Sequence, residues 1–419
     1  MSEEIISLPI RSALIPVFYQ KFRCLAQDCR DSCCVNWSIT FSKKDYLRLR
    51  RLDAPPALQE RLEQGVRRIK SKERTDANYG RFDLWANHNR CPFLDEDGLC
   101  AIQRACGHNA LPEVCTSFPR RVGYSPAAKE HALSPACEGV LQLLWDMPEG
   151  VEFVEDPLPN AEQTTFFFPK VGNLLLYFTP VRGAFIDILQ NRAMSLTERM
   201  LCLGVMIQRL QKEDWGNFDL DGWERQAALL SGPDTVAKLD IPSNRDMYLT
   251  QNLHILDEIA LPEADWPDEI YNAVGATRSF ALNIGGNVSI YQNSRSKINF
   301  SKEAYADALA QFQASFSDYE YFFENLMVAT ALFLGFPKLD SKEELWKSYV
   351  TLCNLYSFYR FISVLGCKAE AAKERLFHLI VMACRTTVHN PDHLKAFQEL
   401  VLKHDSSTLA HMAILLRWD

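Results

Sequence analysis

No stretch of the 419-residue chain is apolar for long enough to cross a bilayer, which takes about 18–20 uncharged residues. The two nearest candidates, VGNLLLYFTPVRGAF and NLMVATALFLGF, fall short, and Pro180 interrupts the first. The N-terminal stretch does not read as a secretory leader either. The opening MSEEIISLPIRSALIPVFYQKF begins on acidic residues, and Pro9, Arg11 and Pro16 break its apolar runs. Basic excess is also lacking: 45 Lys and Arg face 53 Asp and Glu, a net charge of −8. That balance argues against a nucleic-acid binder, which would carry a basic domain. There is no low-complexity tract and no repeat of fixed period, and 47% of the residues are hydrophobic. These absences leave the expectation of a soluble, cytoplasmic, globular protein with no membrane span. Its length exceeds one typical core and predicts roughly two or three domains.

What the chain does have is cysteine. There are 13, and nine of them lie between Cys24 and Cys137. In a reducing cytosol such a density reads as metal binding or redox chemistry before disulfides. Cys202, Cys353, Cys367 and Cys384 are scattered through apolar, helix-like sequence and read as small core residues. The first block is Cys24-x4-Cys29-x3-Cys33-Cys34. The second holds Cys91, Cys100, Cys106 and Cys115, with Cys137 following in SPACEG.

Thiolates suit zinc, Cu(I) and iron–sulfur clusters. Zinc asks for four tetrahedral ligands, usually as two close pairs, and this spacing is irregular. No histidine stands at C-x2-C…H-x3-H distance, and His88, His108 and His131 read as surface or core residues. The adjacent pair Cys33–Cys34 is awkward for one mononuclear site. Iron–sulfur clusters accept cysteines at variable spacings, so they are favoured over zinc, with disulfides last.

Two nucleotide signatures are missing. No Gly-rich loop follows a first strand, and NIGGNVS (Asn283–Ser289) reads as a turn between helices. The radical spacing C-x3-C-x2-C fails because position 36 is Asn.

The cysteines divide the chain into three parts. Residues 1–145 form the cysteine-rich domain, punctuated by turn signals such as LDEDGLC. Within it, residues 43–74 carry eleven Lys and Arg against five Asp and Glu. Leu47, Leu58, Leu62, Val66 and Ile69 there predict two amphipathic helices split by Pro55–Pro56, with a solvated charged face. Residues 146–165, rich in Pro, Glu and Asp, read as a linker.

Residues 166–419 predict a larger helical domain of at least six helices, with room for a substrate and cofactor pocket. Ser195 with Glu198, and Ser341 with Glu344, spell capping boxes. Leu345, Tyr349, Leu352 and Tyr356 follow the second at helical spacing. Asn390-Pro391 opens another helix. The aromatic run Phe316–Leu326 reads as core. The fold class is therefore mainly α, with a cysteine-rich metal-cluster domain in front of a helical one.

At this point the motifs carry a resemblance. A C…CxxxCC block, then CPFLxxxGLCxI, then LPxxCxxFPR, resemble the zinc- or iron-chelating cysteine-cluster domain. With YQKFRC leading in, CCVNWSI with its Trp37 and Ile39, and the FPR of Phe118–Arg120, residues 15–140 resemble the flagellin lysine-N-methylase family. The positions matching the pattern are Cys24, Cys29, Cys33, Cys34, Cys91, Cys100, Cys115 and Cys137; Cys106 lies outside it.

The resemblance implies transfer of methyl groups from S-adenosylmethionine to lysine ε-amino groups of flagellin, and a [4Fe-4S] cluster in preference to zinc. Trp37 is expected to shield that cluster. No catalytic base and no S-adenosylmethionine-binding residue is assigned. The rival readings are an iron–sulfur redox or electron-transfer protein, and a zinc-stapled interaction module whose contact surface is residues 43–74.

Overall fold

The segment around Pro9 and Pro16 folds as a strand, β1 (Glu4–Pro16), in the computed structural model. The structure describes residues 4–35, 39–70, 74–84, 87, 90–126, 128–168, 172–239, 244–260, 287–288, 298–299, 302–316, 319–367, 372–389, 391–402 and 407–417. Trp37, His88, Asn390 and nearly all of the 283–289 segment lie outside them.

The further strands of the N-terminal part are β2 (Thr40–Phe41), β3 (Val66–Arg68), β4 (Gly80–Phe82), β5 (Arg120–Tyr124), β6 (Lys129–Leu133) and β7 (Phe153–Phe168). They form two sheets, in the orders β5-β6-β1-β7 and β2-β4-β3. The N-terminal part is thus a mixed structure, which the mainly α expectation for it did not include.

The stretch expected as a linker is also structured. β7 covers most of 146–165 and runs antiparallel to β1, from Glu4 opposite Phe168 to Pro16 opposite Phe153. Proline and acidic residues are tolerated there because β7 is an edge strand. Its free side needs no N–H, and charge blunts unwanted pairing. β6 joins β1 in parallel at Ala13 and Leu14, and β5 pairs with β6 as a hairpin.

Two cores follow from this chain path. The smaller gathers Phe41, Leu49, Leu62, Phe82, Phe93 and Ile102 between the second sheet and the helices Lys43–Arg50, Pro56–Gly65 and Ala101–Cys106. The two predicted helices are therefore present, although Leu47 faces outward at 40% exposure and the second helix stops at Gly65, with Val66 already in β3 and Ile69 beyond it. Among the described residues, four of the eleven cations of residues 43–74 form ion pairs: Lys43 with Asp76, Arg48 with Asp45, Arg61 with Asp95, and Arg67 with Asp83. That is the solvated face the sequence predicts.

The larger core belongs to the helical body, with eleven α-helices from residue 178 onward among the described residues. It also takes in Phe18, Phe22, Leu133 and Leu141, so it crosses residue 145. Ser195 and Glu198 close their capping box as expected. At Ser341 only half of the device forms. Its side chain accepts from the Glu344 N–H at 3.0 Å, while the Glu344 carboxylate turns to Lys347. Leu345, Tyr349, Leu352 and Tyr356 are buried, as are Phe316, Phe322, Phe323 and the four scattered cysteines. No helix of the described residues is long and apolar enough to cross a membrane.

Candidate metal centre

Four chain segments deliver the eight pattern cysteines to one region. The first is the loop after the Val17–Lys21 helix, which passes through a single 3-10 turn, Ala26–Asp28, and carries Cys24, Cys29, Cys33 and Cys34. The second is held against the first by the Cys91 N–H, which donates to the Cys34 carbonyl at 2.7 Å. It reverses through Asp95–Gly98, where Gly98 takes a positive φ of 78°, and returns with Cys100. Glycine is the residue that adopts this left-handed backbone without strain. Cys115 lies in the short helix Glu113–Ser117. Cys137 is the N-cap residue of the helix Glu138–Trp145.

The thiols perturb one another in two overlapping groups, which share the Cys33–Cys34 pair. Burial first, then Glu138, Cys137 and Cys33, raise the Cys29 thiol. Burial pushes Cys137 up to about 12, with Cys33 and Cys24 adding to it. That group centres on Cys24, Cys29, Cys33 and Cys137. In the other, Cys34 lies between Cys33, whose hydrogen bond lowers it, and Cys91, which raises it; the outcome is about 12. Burial, then Cys34, Cys33 and Cys100, hold Cys115 well above a free thiol. This group centres on Cys34, Cys91, Cys100 and Cys115. Cys33 and Cys34, joined by one peptide bond, stand at the seam. Cys106 points away, toward the Asp53 carbonyl at 3.7 Å.

The sulfurs are neighbours but not a closed ligand shell. Among the described residues, no three His, Cys, Asp or Glu side chains are gathered tightly enough to hold a metal ion. The chemistry of the donor set nevertheless fits a thiolate-bound centre. Ile102 and Gln103 aim backbone N–H groups at the Cys100 sulfur, and Gly139 and Val140 do so at Cys137. Such donors favour the anion, and mutual repulsion among buried thiolates is relieved by a cation placed between them.

The sequence did not reveal how the first loop is held. Glu138, only 8% exposed, accepts from the Arg30 N–H at 2.7 Å, the Asp31 N–H at 3.0 Å and the Cys29 thiol at 3.4 Å. From the helical body, His378 meets the Asp31 carboxylate at 2.6 Å, and buried Arg385 donates to the Asp31 carbonyl at 2.6 Å. These two stand seven residues apart on the helix Lys373–Thr387, and hence on one face. That spacing was visible in LFHLIVMACR, but its partner more than 340 residues away was not.

Because charge-assisted bonds are the strong ones, Glu138→Ala should cost the loop about 2–3 kcal/mol of local stability. Native-state hydrogen exchange would read this as faster exchange at Arg30 and Asp31. Unchanged protection would leave the helix 373–387 as the loop's sole support.

Comparison with known proteins bears on the helical body. Residues 182–415 match the FliB lysine N-methylase C-terminal domain. The chain is 30% identical over 190 residues to the lysine-N-methylases of Salmonella typhimurium and Salmonella choleraesuis, 44% of this chain and 44% of each of them. It thus spans less than half the length of these relatives. It is also 30% identical over 143 residues to the flagellar biosynthetic protein FliU of Salmonella muenchen, 33% of this chain and 80% of that protein. No solved structure matches. With the family's C-terminal domain covering more than half of the residues, the chain belongs to the FliB lysine N-methylase family.

Proposed function

We propose that this protein is a methyltransferase that moves methyl groups from S-adenosylmethionine to the ε-amino groups of flagellin lysines. The observation that carries the reading is the family's lysine N-methylase domain over 182–415, supported by relatives bearing that name and a flagellar one. In the reaction the lone pair of a neutral lysine nitrogen forms the N–CH3 bond. The S–CH3 bond breaks, S-adenosylhomocysteine leaves, and the nitrogen loses a proton. An exposed lysine, with a pKa of about 10.4, is mostly protonated at neutral pH. A methylating site must therefore desolvate the amine or offer it a base, and hold it in line with the sulfonium.

A [4Fe-4S] centre at the cysteines belongs to the same proposal. Each set of four thiols supplies the ligand number that such a cluster, or an all-cysteine zinc site, takes. The irregular cysteine spacing and the family resemblance favour iron–sulfur. Bound at Cys34, Cys91, Cys100 and Cys115, such a centre would supply folding energy by joining three separate chain segments.

The test is to incubate anaerobically purified protein with flagellin and isotope-labelled S-adenosylmethionine, and to map methyl-lysine by mass spectrometry. Label on flagellin lysines, from protein containing iron and sulfide, is the expected result. Protein that is loaded with metal yet transfers no label would overturn the methyltransferase reading. Zinc in place of iron would overturn the cluster.

A further inference from the structure

Two cavities outside the cysteine region differ in how their charged groups are occupied. The first, of about 340 Å3, is lined by Glu198, Glu320, Arg360 and Arg417 among others. Its carboxylates are already in use. Glu198 completes the Ser195 capping box, and Glu320 accepts from the Leu196 N–H and faces Arg199 at 3.8 Å.

The second cavity, of about 280 Å3, lies between the β5–β6 hairpin and the helical body. Leu175, Phe178, Leu332 and Leu339 give it apolar walls. The charged groups on its lining are Arg121, Lys338, Glu130 and Asp340. Here the electrostatics are incomplete. Glu130 Oε2 holds the buried Arg182 at 2.5 Å, whereas Oε1 is buried with no hydrogen-bond partner. Partial desolvation and then the Arg121 guanidinium depress the Lys338 ammonium, while Asp340 and Glu130 act the other way. An unmatched acceptor and two neighbouring cations on one cavity lining, of which Arg121 also donates to the Phe333 carbonyl, complement a molecule that carries an ammonium and a carboxylate together.

We propose that this cavity binds the α-amino-acid end of S-adenosylmethionine, with its carboxylate against Arg121 and Lys338 and its ammonium against Glu130 Oε1. The assignment rests on the methyltransferase reading above and gives that reading a place. Ligand pockets run from about 300 to 1,000 Å3, so this volume suits part of the donor. The adenosine would extend past Tyr124, which lines the cavity and is 46% exposed.

The test is calorimetric titration of the anaerobically purified full chain with S-adenosylhomocysteine. Methylthioadenosine, which lacks the amino-acid end, serves as the comparison ligand. The wild type should bind S-adenosylhomocysteine at least ten-fold more tightly than methylthioadenosine. Lys338→Met and Glu130→Gln should each weaken S-adenosylhomocysteine by about ten-fold or more and leave methylthioadenosine almost unchanged. Arg417→Met, in the other cavity, should change neither. Lys338→Met breaks no buried ion pair, so it serves even where Glu130→Gln disturbs folding. Wild-type affinity in both variants, or loss of affinity in Arg417→Met, overturns the site while the methyltransferase reading stands. A wild type that binds neither ligand overturns both.

Discussion

Cys115→Ser protein should emerge from anaerobic purification with its second set of thiols empty and residues 39–111 open to protease. The reason is the size of the core that these residues own. It is built from three short strands and a few short helices around Phe41, Phe82 and Phe93. A body that small buries too little apolar surface to stand without a staple. Structural metal in thiolate sites contributes about 10–16 kcal/mol of folding free energy, as much as the whole stability of an ordinary domain, about 5–15 kcal/mol. Cys115 is half-buried and feels Cys34, Cys33 and Cys100, and the serine hydroxyl that replaces it is a poor ligand for a soft metal. The control is Cys106→Ser, whose thiol faces the Asp53 carbonyl; it should keep both its metal and its protease resistance. Metal analysis with limited proteolysis reads the comparison. Full metal content in Cys115→Ser would reduce that cysteine to packing.

Glu324→Ala is the second large effect, and it lies in the helical body. Glu324 is 1% exposed, and its carboxylate is shared by two guanidiniums. Arg199, itself buried, reaches Oε2 at 2.5 Å, and Arg192 meets Oε1 and Oε2 at 3.0 Å. Removing one partner of a buried pair strands the other charge in a low dielectric, at a cost of about 3–5 kcal/mol. Glu324→Gln keeps a hydrogen-bond acceptor and should cost less. Arg192, 40% exposed, should matter by no more than about 1 kcal/mol. Urea denaturation of the three variants checks the order. A Glu324→Ala loss below about 1 kcal/mol would mean that water reaches Arg199. The local backbone agrees with this crowding. Gly150 takes a positive φ of 105°, and a Cβ there would sit 3.3 Å from Glu324 Oε1.

The parts of this molecule that local chemistry decides were legible in its sequence. Ser195 and Glu198 predicted a helix start because the capping box closes within four residues. The four scattered cysteines read as core because they stand in apolar, helix-like sequence. Pairings over long distances were not legible. Pro157 and Pro159 made β7 look like a connector, since proline weighs against a strand unless its edge position is known. Pro9 hid β1 in the same way, although β6 pairs with β1 only at Ala13 and Leu14, well past that proline. The candidate centre divides similarly. Its eight thiols were visible as a pattern. Their grouping about the Cys33–Cys34 pair, and the grip of Glu138, His378 and Arg385 on the first loop, depend on contacts that no spacing encodes.

The pairing of β1 with β7 also has a consequence for how the protein is made. A ribosome delivers the chain from its N-terminus, so all eight thiols have emerged before residue 153 begins to cover β1. His378 and Arg385 come later still, on the helix Lys373–Thr387. The loop with Cys29, Cys33 and Cys34 therefore spends most of synthesis held by Glu138 and Cys91 alone, without the contacts of His378 and Arg385. A metal centre built on those thiols would have that interval in which to be loaded, before that helix folds back and closes the loop.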